Sequence, residues 1–149
     1  MGTLDALVGR RVYLDANAFI YVQEHHPTFG PALEAIFAHI DARSLEAVTS
    51  ELTLAECLVK PIAERDAALV ELYHRTLRSS SSLAVVPIYR HILVKGAELR
   101  ASYPIRLPDA IHVATAITTG CTSLLTNDSK LQSLHELRVI VLSQTLDRS

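Results

Sequence analysis

Short apolar runs of strand length alternate along this chain with longer stretches in which apolar residues return every three or four positions. The runs lie at 11–14 (RVYL), 46–49 (EAVT), 83–88 (LAVVPI), 122–126 (TSLLT) and 138–142 (RVIVL), and each predicts a strand. Helical periods occupy 18–24, 31–42, 51–59, 62–78, 89–101 and 108–119. Gly120 suits the C-terminal cap of the helix that begins near Pro108, and SSSS at 79–82 separates a helix from the next strand. Strands alternating with helices predict an α/β fold whose mostly parallel sheet is covered on both faces. Neither a repeat nor a long linker divides the 149 residues, so a single domain over 1–149, large enough to bury a core, is expected.

This order of elements gives meaning to the acidic residues. In VYLDANAFIY, Asp15 interrupts an apolar run where a strand ends and a helix begins. Burying a carboxylate there is costly unless something pairs with it. In open α/β sheets ligands gather beyond the carboxyl ends of the strands. Asp15 ends the first strand, and Asp128 closely follows the fourth in TSLLTND. A helix that feeds a parallel strand runs opposite to it, so its N-terminus faces the same edge. Asp109, beside Pro108 in the first turn of helix 108–119, meets that condition, and the helix after EAVTS brings Glu51 and Glu56 into the neighbourhood. Acids distant in sequence thus converge on one rim, which points to a cation between them. Each also has a plainer explanation: Asp109 as a complement to the helix dipole, Asp128 as a turn acid, Asn17 as an N-cap or as an orienter of Asp15. The two glutamates lie five residues apart, about 140° around a helix, so they do not share a face. Periodicity leaves the choice between them open.

Composition narrows the classes. Apolar residues make up 49% and charged residues 20% of the chain, an ordinary globular balance. No apolar run reaches the ~18 residues of a membrane helix, and MGTLDALVGRR lacks the basic-then-apolar order of a signal peptide. Met1-Gly2 starts a myristoylation motif that Ala6 breaks. Cys57 and Cys121 have no metal-type spacing and read as reduced core thiols of a cytoplasmic protein. The net charge of −2 argues against a broad basic face, although not against a small phosphate-contacting patch. Arg10, Arg11, Lys60, Arg65 and Arg106 are scattered, with no aromatic-basic stripe.

The histidines say less. His25 and His26 sit side by side before Pro27, and His112 follows Asp109 by three, within reach of a hydrogen bond to it, although a core histidine or one behind the site fits better. Zinc, Walker and nucleophile-elbow motifs are absent. Phosphoryl transfer through an aspartyl intermediate is a rival, but Asn17 stands where such a phosphatase usually has a second Asp. A receiver-type module lacks the paired acids expected ahead of its phosphorylated Asp.

Taken in order, Asp15 in LDANAFI, Glu56 in TLAEC, Asp109 in LPDAIHVATA and Asp128 in LLTND resemble the PIN-domain family, and within it the VapC-type toxin ribonucleases. The match runs from about residue 10 to 142. The resemblance implies a three-layer α/β/α sandwich, a Mg²⁺- or Mn²⁺-dependent endoribonuclease acting on RNA, a homodimer, and neutralisation by a cognate antitoxin protein. It also assigns the family position to Glu56 and leaves Glu51 to the helix end. On that basis Asp15 and Asp109 are the principal metal ligands, Glu56 and Asp128 complete the acidic cage, and Asn17 and Thr126 orient carboxylates by hydrogen bonds. Hard oxygen donors suit these metals. Ser129-Lys130 departs from members that carry a further acid two residues after Asp128, which weakens any second metal site. The remaining alternatives are a housekeeping nuclease and a binding protein of the same fold with feeble cleavage.

Overall fold

The computed structural model describes Leu7 and residues 10–146. The N-terminal stretch MGTLDA, on which the leader and myristoylation readings rest, lies outside the described residues. The order is β1 (Arg11–Leu14), α1 (Ala16–Gln23), α2 (Gly30–Asp41), β2 (Glu46–Ser50), α3 (Glu51–Ala63), α4 (Ala67–Thr76) and β3 (Leu83–Val86). It continues with α5 (Arg90–Ser102), α6 (Leu107–Thr118), β4 (Ser123–Thr126), a 3-10 turn (Ser129–Ser133), β5 (Arg138–Val141) and α7 (Leu142–Leu146).

Among the described residues five strands form one parallel sheet in the order β3-β2-β1-β4-β5. Successive strand residues point to opposite faces, and here both faces are apolar. Val12, Leu14, Ala47, Val85 and Leu125 pack with Phe19 of α1, Leu33, Ile36 and Ile40 of α2, Cys57 of α3 and Tyr73 of α4. Tyr13, Val48 and Leu124 pack with Ile92 and Leu99 of α5 and with Ala110, Val113 and Ala114 of α6. The result is the three-layer α/β/α sandwich expected from alternation. Cys57 and Cys121 are both free and buried, and burial pushes the Cys57 thiol up to about 12.

Two helix boundaries differ from the pattern. α1 begins at Ala16 rather than 18, because Asp15 itself is the N-cap and accepts from the Asn17 N–H; the reading of Asn17 as cap is thereby overturned. The break expected at 60–61 falls later. Pro61 sits buried inside α3, and the chain turns at Arg65, which adopts φ 56°, before Asp66 caps α4 by accepting from the Leu69 N–H. Gly120 takes φ 75° just past α6, the left-handed conformation that favours glycine after a helix.

One contact sets the position of α6, which carries Asp109 and His112. A Cβ on Gly96 of α5 would lie 3.1 Å from Ile111 Cγ1 and 3.4 Å from its Cα. Helices pack this closely only where one side chain is missing. Gly96→Leu should therefore force α5 and α6 apart and destabilise the fold by about 1–3 kcal/mol, the usual cost of overpacking. Urea unfolding checks this; an unchanged midpoint would mean that the two helices slide without cost.

Candidate active site

The strand order reverses direction between β1 and β4: from β1 the chain crosses to β2 and β3 on one side, and returns through β4 and β5 on the other. Such a switch point opens a crevice at the carboxyl ends of its two strands. Leu14 pairs with Leu125 in the β1–β4 register, so Asp15 and Thr126 are the next residues out. Thr126 Oγ1 donates to Asp15 Oδ2 at 2.7 Å, and the Asn17 backbone N–H donates to Asp15 Oδ1 at 3.1 Å. Thr126 thus orients Asp15 through its side chain, and Asn17 through its backbone.

Asp15 is half-buried and makes no ion pair among the described residues. Burial raises its pKa from 3.8 to about 6, against the lowering effects of the Thr126 hydrogen bond, the nearby His112 and the Asn17 N–H; the charge of Glu56 adds to the rise.

The second acid arrives on α3. Ser50 ends β2, and Thr49 beside it ties that end to β1 through a 2.7 Å bond from its hydroxyl to the Leu14 carbonyl. Glu51 then lies exposed in the first turn of α3, a place where its charge complements the helix dipole. Glu56 points elsewhere. Its Oε1 meets Nε2 of His112, a histidine whose side chain is only 4% exposed. The other ring nitrogen, Nδ1, lies 2.7 Å from the Tyr13 hydroxyl, which lies 2.8 Å from Ser50 Oγ. Glu56, His112, Tyr13 and Ser50 form one hydrogen-bonded line from the rim into the core. Burial raises the Tyr13 pKa above its ordinary value, so its hydroxyl keeps its proton. The Tyr13 hydroxyl and the Glu56 carboxyl thus grip the ring at its two nitrogens and fix its orientation.

The remaining acids have local partners. Asp109, with Pro108 beside it at the start of α6, accepts from Arg106 Nε at 3.2 Å. Its side chain is 15% exposed and that of Arg106 is 77% exposed. Asp109 holds the guanidinium charge more firmly than usual, with Asp128 and Glu56 adding to the field. Asp128 caps the 3-10 turn by accepting from the Lys130 N–H at 2.9 Å, while its own N–H donates to Thr126 Oγ1 at 3.2 Å. Thr126 Oγ1 is therefore the atom that joins Asp15 to Asp128.

The four acids occupy the edge on which the sequence places them, but each is separately engaged. Among the described residues no three His, Cys, Asp or Glu side chains form a group that could hold a metal ion as they stand. Sequence reasoning missed Tyr13, Ser50 and the partner of His112. Tyr13 reads as a strand hydrophobe, and only the buried hydroxyls at the ends of β2 (Thr49-Ser50) hint that polar groups meet below the rim. The Arg106–Asp109 pair was within reach, since residues three apart at a helix start are neighbours.

The Asp15 pKa carries a testable sign. The folded state binds this proton more tightly than the unfolded chain, so in metal-free protein Asp15 makes stability fall as pH rises from 3.8 to about 6. Asp15→Asn should remove that slope and leave the variant more stable than the parent at pH 7, by about 1–3 kcal/mol. Urea midpoints from pH 4 to 7 in EDTA measure both; equal slopes in the two proteins would show that Asp15 is not strained by burial.

Comparison with known proteins agrees with this architecture. The PIN domain family model matches residues 12–137. The fold is shared with a toxin–antitoxin complex from Klebsiella pneumoniae (TM-score 0.66, 22% identity, 87% of this chain and 96% of that one). It is shared also with VapC20 of Mycobacterium tuberculosis, described as a sarcin–ricin-loop-cleaving toxin (TM-score 0.68, 13% identity, 85% and 98% covered). VapBC2 from Rickettsia felis, solved bound to a DNA fragment from its promoter, matches at TM-score 0.63 and 18% identity, with 88% and 98% covered. No curated protein matches the chain in sequence. With the family model running from β1 past β4 and covering the switch point and the acidic rim, the chain belongs to the PIN domain family.

Proposed function

We propose that this chain is a Mg²⁺- or Mn²⁺-dependent endoribonuclease, one nuclease domain over 1–149, acting in the cytoplasm as the toxin of a toxin–antitoxin pair. The observation that supports it most is Asp15: a half-buried carboxylate at the switch point, with neutral donors on both oxygens and no ion pair, flanked by acids from three other elements. A carboxylate so placed is completed by a cation. Mg²⁺ keeps several waters and takes only one or two carboxylates directly, so the residues fit it without a closed protein cage. Asp15 and Asp109 are the direct ligands in this reading, with Glu56 and Asp128 acting directly or through water. When bound, the cation supplies charge neutralisation and a water acidified toward neutral pH.

The chain's own residues do the rest. Thr126 and the Asn17 N–H hold both oxygens of Asp15 and fix its plane. His112 holds Glu56 Oε1 and leaves Oε2 to orient the attacking water and take its proton. Asn17 stands where an aspartyl phosphatase usually has a second Asp, which weighs against that reading. The separate engagement of Glu56 and Asp109 favours one second reading, a PIN-fold RNA-binding protein with weak cleavage.

Cleavage of RNA by purified protein decides between them. Asp15→Asn should be folded and lose at least 100-fold in rate, as expected when a metal ligand's charge goes. Glu56→Gln should lose far more activity than Glu51→Gln, which should lower only the melting temperature, slightly. Equal activity of folded wild type and Asp15→Asn would remove the metal-nuclease assignment, and an inactive Glu51→Gln would shift the second acid to the helix end.

The toxin reading has its own test. Val59 and Ile62 on α3, and Tyr89, Leu93 and Val94 at and in α5, are large apolar side chains left exposed, which supports protein partners: an antitoxin and a second copy of the chain. By contrast Phe19 is core, packed 5.3 Å from Phe37, and offers no surface to a partner. Expression of wild type alone should arrest growth, and co-expression of the adjacent small gene product should restore it and co-purify. A chain that cleaves RNA in vitro yet is harmless at high expression and binds no such product is a housekeeping nuclease.

A further inference from the structure

Beside the acidic rim lies a cleft of about 330 Å³ lined by Arg100, Pro104, Ile105, Arg106, Asp109, Asp128 and Lys130. Three cations and two acids thus share one hollow in a protein whose net charge is −2. They come from three separate elements: Arg100 from the last turn of α5, Arg106 from the N-cap of α6, Lys130 from the 3-10 turn. Only Arg106 spends its charge inside the molecule, on Asp109. The side chains of Arg100 and Lys130 have no hydrogen-bond or ion-pair partner among the described residues, and both residues are exposed. The larger hollow of about 470 Å³, lined by Arg11, Arg43 and Ser80–Ser82, is different. There Arg11 is already committed to Glu46 and to the Thr119 carbonyl.

We propose that this cleft is a phosphate subsite for single-stranded RNA, in which Arg100 and Lys130 hold backbone phosphates next to the one positioned for cleavage. The inference rests on the nuclease reading of the rim for the choice of ligand. The chemistry is local. A phosphodiester entering the rim meets carboxylates on every side and needs compensating cations within a few ångströms, because salt screens more distant ones. Arg100 and Lys130 supply them from one wall. Pro104 and Ile105 give that wall an apolar surface against which a ribose or base can lie. Asp109 and Asp128 stand between the cations and temper the positive field of the cleft, so that it is not a general anion trap. Arg106 sits between the two regions and can pass from Asp109 to an incoming phosphate, since its side chain is already largely in solvent.

The test reads binding without turnover. A fluorescent single-stranded RNA of mixed sequence is titrated with full-length Asp15→Asn protein in EDTA between 50 and 200 mM salt. Each phosphate contact on a single strand contributes about 0.7 to the slope of log affinity against log salt. Arg100→Ala with Lys130→Ala should reduce the slope by roughly 1.4, so that the parent loses roughly sevenfold more affinity than the double variant across this fourfold salt range. Arg75→Ala with Arg78→Ala removes the same charge from the region of α4, across the sheet. This control should leave the slope where it was. Equal slopes for parent and cleft variant, an equal fall in the control, or no RNA binding by the folded parent at 50 mM salt would each overturn the subsite. Cleavage kinetics in the wild-type background separate this from the reading beneath it. An active enzyme whose KM ignores the cleft variant rejects the subsite and keeps the nuclease. Slope-dependent RNA binding by a chain that never cleaves keeps the subsite and rejects the nuclease.

Discussion

The hydrogen bond from Thr126 to Asp15 is the interaction on which the rim depends. It spans the one place in the sheet where the connections lead away in opposite directions, which opens a crevice at the strand ends. β1 and β4 bring the two residues together through main-chain pairing alone, and the 2.7 Å bond then fixes the carboxylate. The same hydroxyl oxygen accepts from the Asp128 N–H. A single threonine therefore sets the positions of two acids that lie 113 residues apart in sequence. Asp15 in turn starts α1 as its N-cap. The helix, the crevice and the carboxylate are consequences of one local arrangement, and none could be moved without the others.

Four acids at one edge should repel one another, and the fold answers by giving each its own donor. Asp15 has a hydroxyl and a backbone N–H, Glu56 has an imidazole, Asp109 a guanidinium, Asp128 a backbone N–H. None of these partners is a buried Lys or Arg, which would cancel the charge and close the site. The residual strain is concentrated at Asp15, whose pKa rises to about 6 because neutral donors offset only part of its lost hydration. A cation at this position would relieve that strain, so binding strength and the metal-free penalty have the same origin.

The parts of this arrangement that follow from local patterns were legible in the sequence. Alternation of strand and helix periods gave the layers and the edge on which Asp15, Asp109 and Asp128 stand. What sequence could not show is any contact made across the sheet. Glu56 and His112 are 56 residues apart, and nothing in the period of α3 separates Glu56 from Glu51. Tyr13 looks like one more buried strand residue, and its hydroxyl matters only because Ser50 and His112 come from other elements to meet it. The late break after α3 was hidden for another reason. It depends on Arg65 adopting a left-handed conformation, which an arginine accepts only where the surrounding turn requires it.

The partners of the acids also differ in how readily they let go. Glu56 is held by a histidine buried in the core, and displacing it would leave a polar ring nitrogen without a partner, a cost the fold resists. Asp109 is held by an arginine that is mostly in solvent, where an ion pair contributes little and exchanges freely. The rim therefore combines one fixed acid with one adjustable acid. Glu56 is thereby held in one orientation, as the proton-accepting role proposed for it would require. If the rim holds a cation as proposed, Asp109 would turn to it from Arg106 at small cost, and that turn would free a guanidinium toward the cleft. In the proposed nuclease, charge that neutralises the acid in the empty site would become charge that receives the substrate in the filled one, and the two occupancies would be coupled.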